Sequence, residues 1–118
     1  MIGAGFWASY QYLPFYRDHS EVELVGAVRK DDAGLDAFRR EFGLEVSTSS
    51  VDELLAAGLD GVVISSPHNL HREHAVASLE AGAHVLVEKP MTLTLADAEA
   101  IAATARVGQT VRVADLET

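Results

Sequence analysis

The residues able to do chemistry fall in a few short clusters. Nearest the amino end, Gly3-Ala4-Gly5-Phe6-Trp7-Ala8 is a G-x-G-x-x-A run. Placed between a strand and a helix, such a run makes a pyrophosphate turn. Gly3 allows the tight bend, Gly5 lets the backbone approach the anion, and Ala8 is small enough for the helix to pack on the sheet. Bare N–H groups of the first helical turn then face the phosphates. Phe6 and Trp7 lie within the same turn and join Gly3, Gly5 and Ala8 as candidate cofactor-binding residues.

Arg29 and Lys30 follow the next apolar run, at about the distance, roughly 20 residues, where NAD-binding sequences carry an acidic group for the ribose 2′-hydroxyl. The sign is reversed here. An arginine fork beside a lysine attracts a 2′-phosphate that a carboxylate repels, so the sequence points to NADP in preference to NAD. The competing reading makes both cations solvated turn residues and gives the ribose to Asp31. Further on, Ser65-Ser66-Pro67 and Glu88-Lys89-Pro90 each close an apolar run. His68, His71 and His74 recur every third residue, but one helical face gathers at best two of them and supplies no carboxylate at ligand spacing, so no metal is expected.

The elements that must position these groups are legible from periodicity. Residues 22–28, 61–65 and 84–88 are near-continuous apolar runs rich in β-branched residues, as in parallel strands buried on both faces. Shorter strands are expected at 45–47 and 110–114. Helical patterns lie between them: 6–16 interrupted by Pro14, 33–42 with Leu35, Phe38 and Phe42 on one face and Gly43 as stop, a short one after Ser50, 70–81 ending at Gly82, and one from about 94 to 107 ending at Gly108. The alternation specifies an α/β fold, a doubly wound parallel sheet. Only Met1 and Ile2 precede Gly3, so the first strand is almost entirely missing. In strand order 3-2-1-4-5-6 that strand is central, and its neighbours on both sides lose a partner.

The 118 residues and 48% hydrophobic content fit one domain with one core. There is no cysteine, hence no disulfide framework or thiol nucleophile, which suits a reducing cytoplasm. No apolar run approaches the roughly 18 residues of a membrane span, and the expectation is a soluble cytoplasmic protein. A net charge of −9 argues against nucleic acid or an anionic membrane as partner. A dinucleotide remains compatible, because local dipoles and one or two cations hold it.

The glycine run, Ser65-Ser66-Pro67-His68-Asn69-Leu70-His71 and Ala81-Gly82-Ala83-His84-Val85-Leu86-Val87-Glu88-Lys89-Pro90 together resemble the Gfo/Idh/MocA family of oxidoreductases. The resemblance covers nearly the whole chain, with the A-G-x-H-V-L-x-E-K-P segment its most specific part. It implies a Rossmann domain over residues 1–118 that binds NAD or NADP, normally followed by a substrate domain which this chain lacks. It also implies hydride transfer to or from sugar or polyol carbons. Lys89 matches the family lysine near the nicotinamide and the reacting carbon and is the candidate catalytic residue. Ser65, Ser66, Pro67, Glu88 and Lys89 match loops beside the cofactor. His71 matches a family histidine, against the alternative of a surface histidine opening a helix.

On this reading the chain is incomplete for catalysis. Sugar or polyol substrate enters only with a second domain, and a homo-oligomer or partner chain is a further possibility. The alternative function is a non-catalytic dinucleotide-binding module, or one that docks on a partner supplying the lost strand. A receiver-like flavodoxin fold is set aside, since glycines and Ser47-Thr48-Ser49 stand where it needs acidic residues.

Overall fold

The computed structural model describes residues 1–3, 12–106 and 108–114. Its strands are β1 (Gly26–Val28), β2 (Val46–Thr48), β3 (Gly61–Ile64), β4 (His84–Glu88) and β5 (Val111–Ala114). Its helices are α1 (Leu13–Asp18), α2 (Asp32–Phe42), α3 (Val51–Leu55), α4 (His71–Glu80) and α5 (Leu95–Ala105), with a 3₁₀ turn at His68–Leu70 leading into α4. All strand pairs are parallel: Gly26 lies opposite Val46, Gly61 opposite His84 and Val85 opposite Val111.

The two-stranded and three-stranded halves meet through the amino-terminal stub. Ile2 bridges Val28 on one side and Ile64 on the other. The order is therefore β2-β1-stub-β3-β4-β5, the arrangement expected from the alternation of elements. The expected loss of a central neighbour is only partial, because three residues suffice to make a short two-sided ladder. Ile2 N–H donates to the Val63 carbonyl at 2.8 Å, and its own carbonyl accepts from Ser65 N–H at 2.8 Å. Val28 N–H donates to the Met1 carbonyl at 2.8 Å, and Gly3 N–H to the Val28 carbonyl at 3.1 Å.

Alternation along the stub sends its side chains to opposite faces. Ile2, 1% exposed, packs with Leu54, Val62, Ile64, Leu79, Val85 and Ile101, the face covered by α3, α4 and α5. Met1 packs with Leu13, Ala27, Phe38, Phe42 and Leu44, the face covered by α1 and α2. Each cluster thus joins both halves of the sheet through one stub residue.

Helix limits follow local chemistry. Asp31 caps α2 by accepting from Gly34 N–H at 3.1 Å, and Gly43, with φ 64°, ends it in the left-handed region. Ser50 and Thr94 cap α3 and α5 by accepting from Glu53 N–H and Asp97 N–H. Pro14 lies in the first turn of α1, in line with the helix restart expected there, because that turn has no intrahelical use for its missing N–H. The expected strand at 22–28 forms its ladder only over its last three residues, which lie opposite Val46–Thr48 of β2.

Two expectations can be measured. Gly3 has φ +84°, and a Cβ there would come within 2.4 Å of Ser66 N and 2.6 Å of the Ser65 carbonyl carbon. Gly3→Ala forces two backbone segments apart and should cost on the order of 2–4 kcal/mol in urea unfolding. The Met1 amine, donating to the Gly26 carbonyl at 3.0 Å, is buried, and desolvation lowers its pKa from 8.0 to about 5. The unfolded chain binds the extra proton between those values, so stability should rise with pH through that window. The gain from pH 7 to pH 9 is about 1.4 kcal/mol from this group, and acetylation of the amine should remove it.

Candidate functional site at the carboxyl edge of the sheet

Parallel strands end together, and here their carboxyl ends gather the predicted residues. Gly3, Arg29, Ser65 and Glu88 each stand at or just beyond the end of the stub, β1, β3 and β4. Gly5, Phe6, Trp7 and Ala8 lie outside the described residues. The close approach of Gly3 to the Ser65–Ser66 backbone ties the start of the glycine run to the loop after β3.

Arg29 follows β1. Its Nε donates to the Asp31 carboxylate, and its guanidinium lies over the Phe38 ring at 4.8 Å from the centroid. The aromatic face and the carboxylate together hold the planar group against α2. Asp31 accepts from both Arg29 and Gly34 N–H, and its carboxyl is held below the usual range mainly by the hydrogen bond from Arg29. Lys30, next in the chain, is exposed.

The loop after β3 and the loop after β4 are fastened to each other by one side chain. His71, 0% exposed, contacts the Ser66 carbonyl through Nε2 at 2.9 Å and the Pro90 carbonyl through Nδ1 at 2.9 Å. The 3₁₀ turn at His68–Leu70 leading into α4 turns this ring inward: Leu70 N–H donates to the Pro67 carbonyl, and α4 begins at His71. A histidine opening a helix at the surface is therefore not what the structure contains. His74, one turn on, meets Ser66 Oγ through Nδ1 at 2.8 Å. Burial, the larger cause, lowers the His74 pKa, and the neighbouring His71 and Lys30 act in the same direction against Glu73.

Glu88 ends β4 and is buried. Its Oε2 accepts from Tyr12 OH at 2.5 Å, a contact across the sheet from the start of α1 that sequence reasoning did not identify. No local signal in the sequence links Tyr12 to Glu88, since the contact spans 76 positions. Burial first, and then the Glu88 carboxylate, push the Tyr12 hydroxyl pKa up, so it stays a donor. Glu88 Oε1 is buried with no hydrogen-bond partner among the described residues. A carboxylate oxygen so placed calls for an N–H or O–H donor. Lys89 follows, exposed, and its peptide to Pro90 is cis.

The edge thus offers features that fit a dinucleotide: a glycine in the left-handed region against a backbone loop, cations beyond β1, and an unsatisfied buried acceptor at the end of β4. Comparison with known proteins agrees. A model of the oxidoreductase family with the NAD-binding Rossmann fold matches residues 1–114. The chain belongs to the Gfo/Idh/MocA family.

D-glucoside 3-dehydrogenase of Escherichia coli K12 is 34% identical over 107 residues, covering 90% of this chain and 30% of the relative. Among solved structures, KijD10, a 3-ketoreductase from Actinomadura kijaniata in complex with TDP-benzene and NADP, superposes with TM-score 0.87 at 30% identity, covering 95% of this chain and 36% of that one. The WlbA dehydrogenase from Bordetella pertussis, in complex with NADH and UDP-GlcNAcA, gives TM-score 0.84 at 26% identity, covering 96% and 33%. The chain therefore spans about a third of the length of these relatives. Family membership carries an NAD(P)-binding Rossmann fold, and no described helix is long and apolar enough to cross a membrane.

The His71 clamp has a measurable consequence. His71→Ala removes a fully buried ring and both loop contacts, a loss of about 2–4 kcal/mol. Hydrogen exchange should accelerate at residues 65–67 and 88–91, while amides of α2 keep their protection relative to the new global stability.

Proposed function

We propose that this chain is the NADP(H)-binding part of an oxidoreductase acting on sugar or polyol-type substrates. The observation that carries the reading is the gathering of Gly3, Arg29, Ser66 and Glu88 on one carboxyl edge, with His71 fastening two of the loops. The substrate class rests on the family and its sugar-directed members.

In this reading the glycine run receives the pyrophosphate, and the loop of Ser65, Ser66 and Pro67 passes beside the dinucleotide. Arg29 and Lys30 face the 2′-phosphate. Support for NADP over NAD comes from Asp31: its carboxylate is engaged by Arg29 and by the start of α2, so it is poorly placed to accept from a ribose hydroxyl. Glu88 Oε1, buried without a partner among the described residues, would accept an N–H of the dinucleotide. His71 acts as a positioning residue, holding the Ser66 and Pro90 carbonyls at a set separation.

When bound, the nicotinamide accepts or gives the hydride. Lys89 holds the substrate oxygen at its ammonium, lowering the cost of negative charge there as the hydroxyl proton departs to a base of the substrate domain. That domain would also orient the sugar and supply the remaining acid/base groups.

Calorimetric titration tests the cofactor choice. NADPH should bind at least about tenfold more tightly than NADH, and Arg29→Asp should reverse the order by removing one charge-assisted contact and adding a repulsive one. Tighter NADH binding to the unaltered chain would refute the assignment to Arg29. Lys89→Ala should leave both affinities within about threefold, since its partner is substrate oxygen rather than the dinucleotide.

A further inference from the structure

We propose that Gly34 is a positioning residue for cofactor choice: lacking a side chain, it leaves open on α2 the seat in which the Arg29 guanidinium lies, and a bound 2′-phosphate is met from that seat. This role rests on the assignment of the 2′-phosphate to Arg29 made above.

Backbone geometry gives no reason for a glycine at this position. Gly34 lies inside α2, between the Asp31 cap and the Gly43 stop, and its φ is not positive. Only proline is a poorer helix former, so alanine would suit the helix better. What glycine supplies is room. A Cβ on Gly34 would overlap Nε and Cζ of Arg29 and come within 2.6 Å of Asp31 Oδ2. The space such a Cβ would fill is the space the guanidinium occupies.

Three residues near the start of one helix form the seat. Phe38, one turn after Gly34 on the same face, has its ring centroid 4.8 Å from Arg29 Cζ. Asp31 accepts from Arg29 Nε through one carboxylate oxygen and from Gly34 N–H through the other, the latter at 3.1 Å. Gly34 lies between the two and adds no side-chain atom where the guanidinium passes. The helix is anchored, since Phe38 and Phe42 are buried in the core cluster around Met1. Arg29, with its side chain 29% exposed, sits on a flexible stem. A side chain at position 34 therefore displaces the arginine while the helix stays.

The seat bears on selectivity because an arginine already held in one plane loses less rotamer freedom when it meets a phosphate. Recognition by a guanidinium fork depends on that plane as well as on charge. NADH has no 2′-phosphate, so its affinity depends little on where Arg29 lies.

Calorimetric titration of the whole chain with NADPH and NADH reads the role as a ratio of affinities. Gly34→Ala should lower the NADPH-over-NADH ratio about fivefold and keep NADH affinity within about twofold. In an Arg29→Ala background the same substitution should leave the ratio unchanged, because the side chain it displaces is absent. A merely structural role would weaken both dinucleotides alike in both backgrounds. Without any cofactor, the Arg29 Hε NMR signal should lose the ring-current shift from Phe38 in Gly34→Ala, while circular dichroism keeps its helix content. An unmoved Hε signal, an unchanged ratio, a loss of fold, or an equal fall of the ratio in the Arg29→Ala background would each overturn the proposal. The last would give the space at Gly34 to the phosphate itself. Equal affinities of the unaltered chain for NADPH and NADH would overturn the assignment to Arg29, and the selectivity role of Gly34 with it.

Discussion

The two-sided hydrogen bonding of Met1, Ile2 and Gly3 is the constraint on which the rest of this structure depends. Without it the sheet is a two-stranded piece beside a three-stranded piece, each with an apolar edge. Backbone polar groups buried in such a seam must find partners or cost free energy. The stub supplies partners to Val28, Val63 and Ser65 at once. Its side chains do the same for packing, since Met1 enters one core cluster and Ile2 the other. Toward its carboxyl side, Gly3 lies against the Ser65–Ser66 backbone.

Position at the carboxyl edge is then set by a few contacts that reach across strands. His71 holds the loops after β3 and β4 through backbone carbonyls, so these contacts depend on its ring and on the chain path rather than on the side chains of Ser66 and Pro90. Tyr12 reaches Glu88 from the start of α1, linking that helix to the end of β4. Each of these residues lies on a different element from the loop it steadies. Such cross-strand support is what a ligand site built on loops requires to keep its geometry.

Electrostatics at this edge are local rather than global. The net charge of −9 would repel a phosphorylated ligand at long range, yet short-range placement decides the matter. Arg29 is oriented by an aromatic ring and a carboxylate, and Lys30 stays exposed beside it. At the opposite edge Glu21, Glu23 and Asp60 concentrate negative charge. The two edges of one sheet therefore present different chemistry, an outcome of which residues begin and end each strand.

The element order was legible in the sequence because burial on both faces leaves continuous apolar runs, and helix ends leave caps such as Asp31, Ser50 and Gly43. Candidate loops at Ser65 and Glu88 were legible for the same reason: a strand that stops marks its own carboxyl end. The family followed from the segment ending Glu88-Lys89-Pro90. What the tertiary structure decided concerns partners distant in the chain. That His71 would be buried between two carbonyls, that Tyr12 would meet Glu88, and that Arg29 would lie on Phe38 depend on how helices pack against the sheet, which periodicity specifies only as a face. The first strand shows the same division. That three residues join two half-sheets follows from alternation along a strand: Ile2 bonds to the β3 side, while Met1 and Gly3 bond to β1.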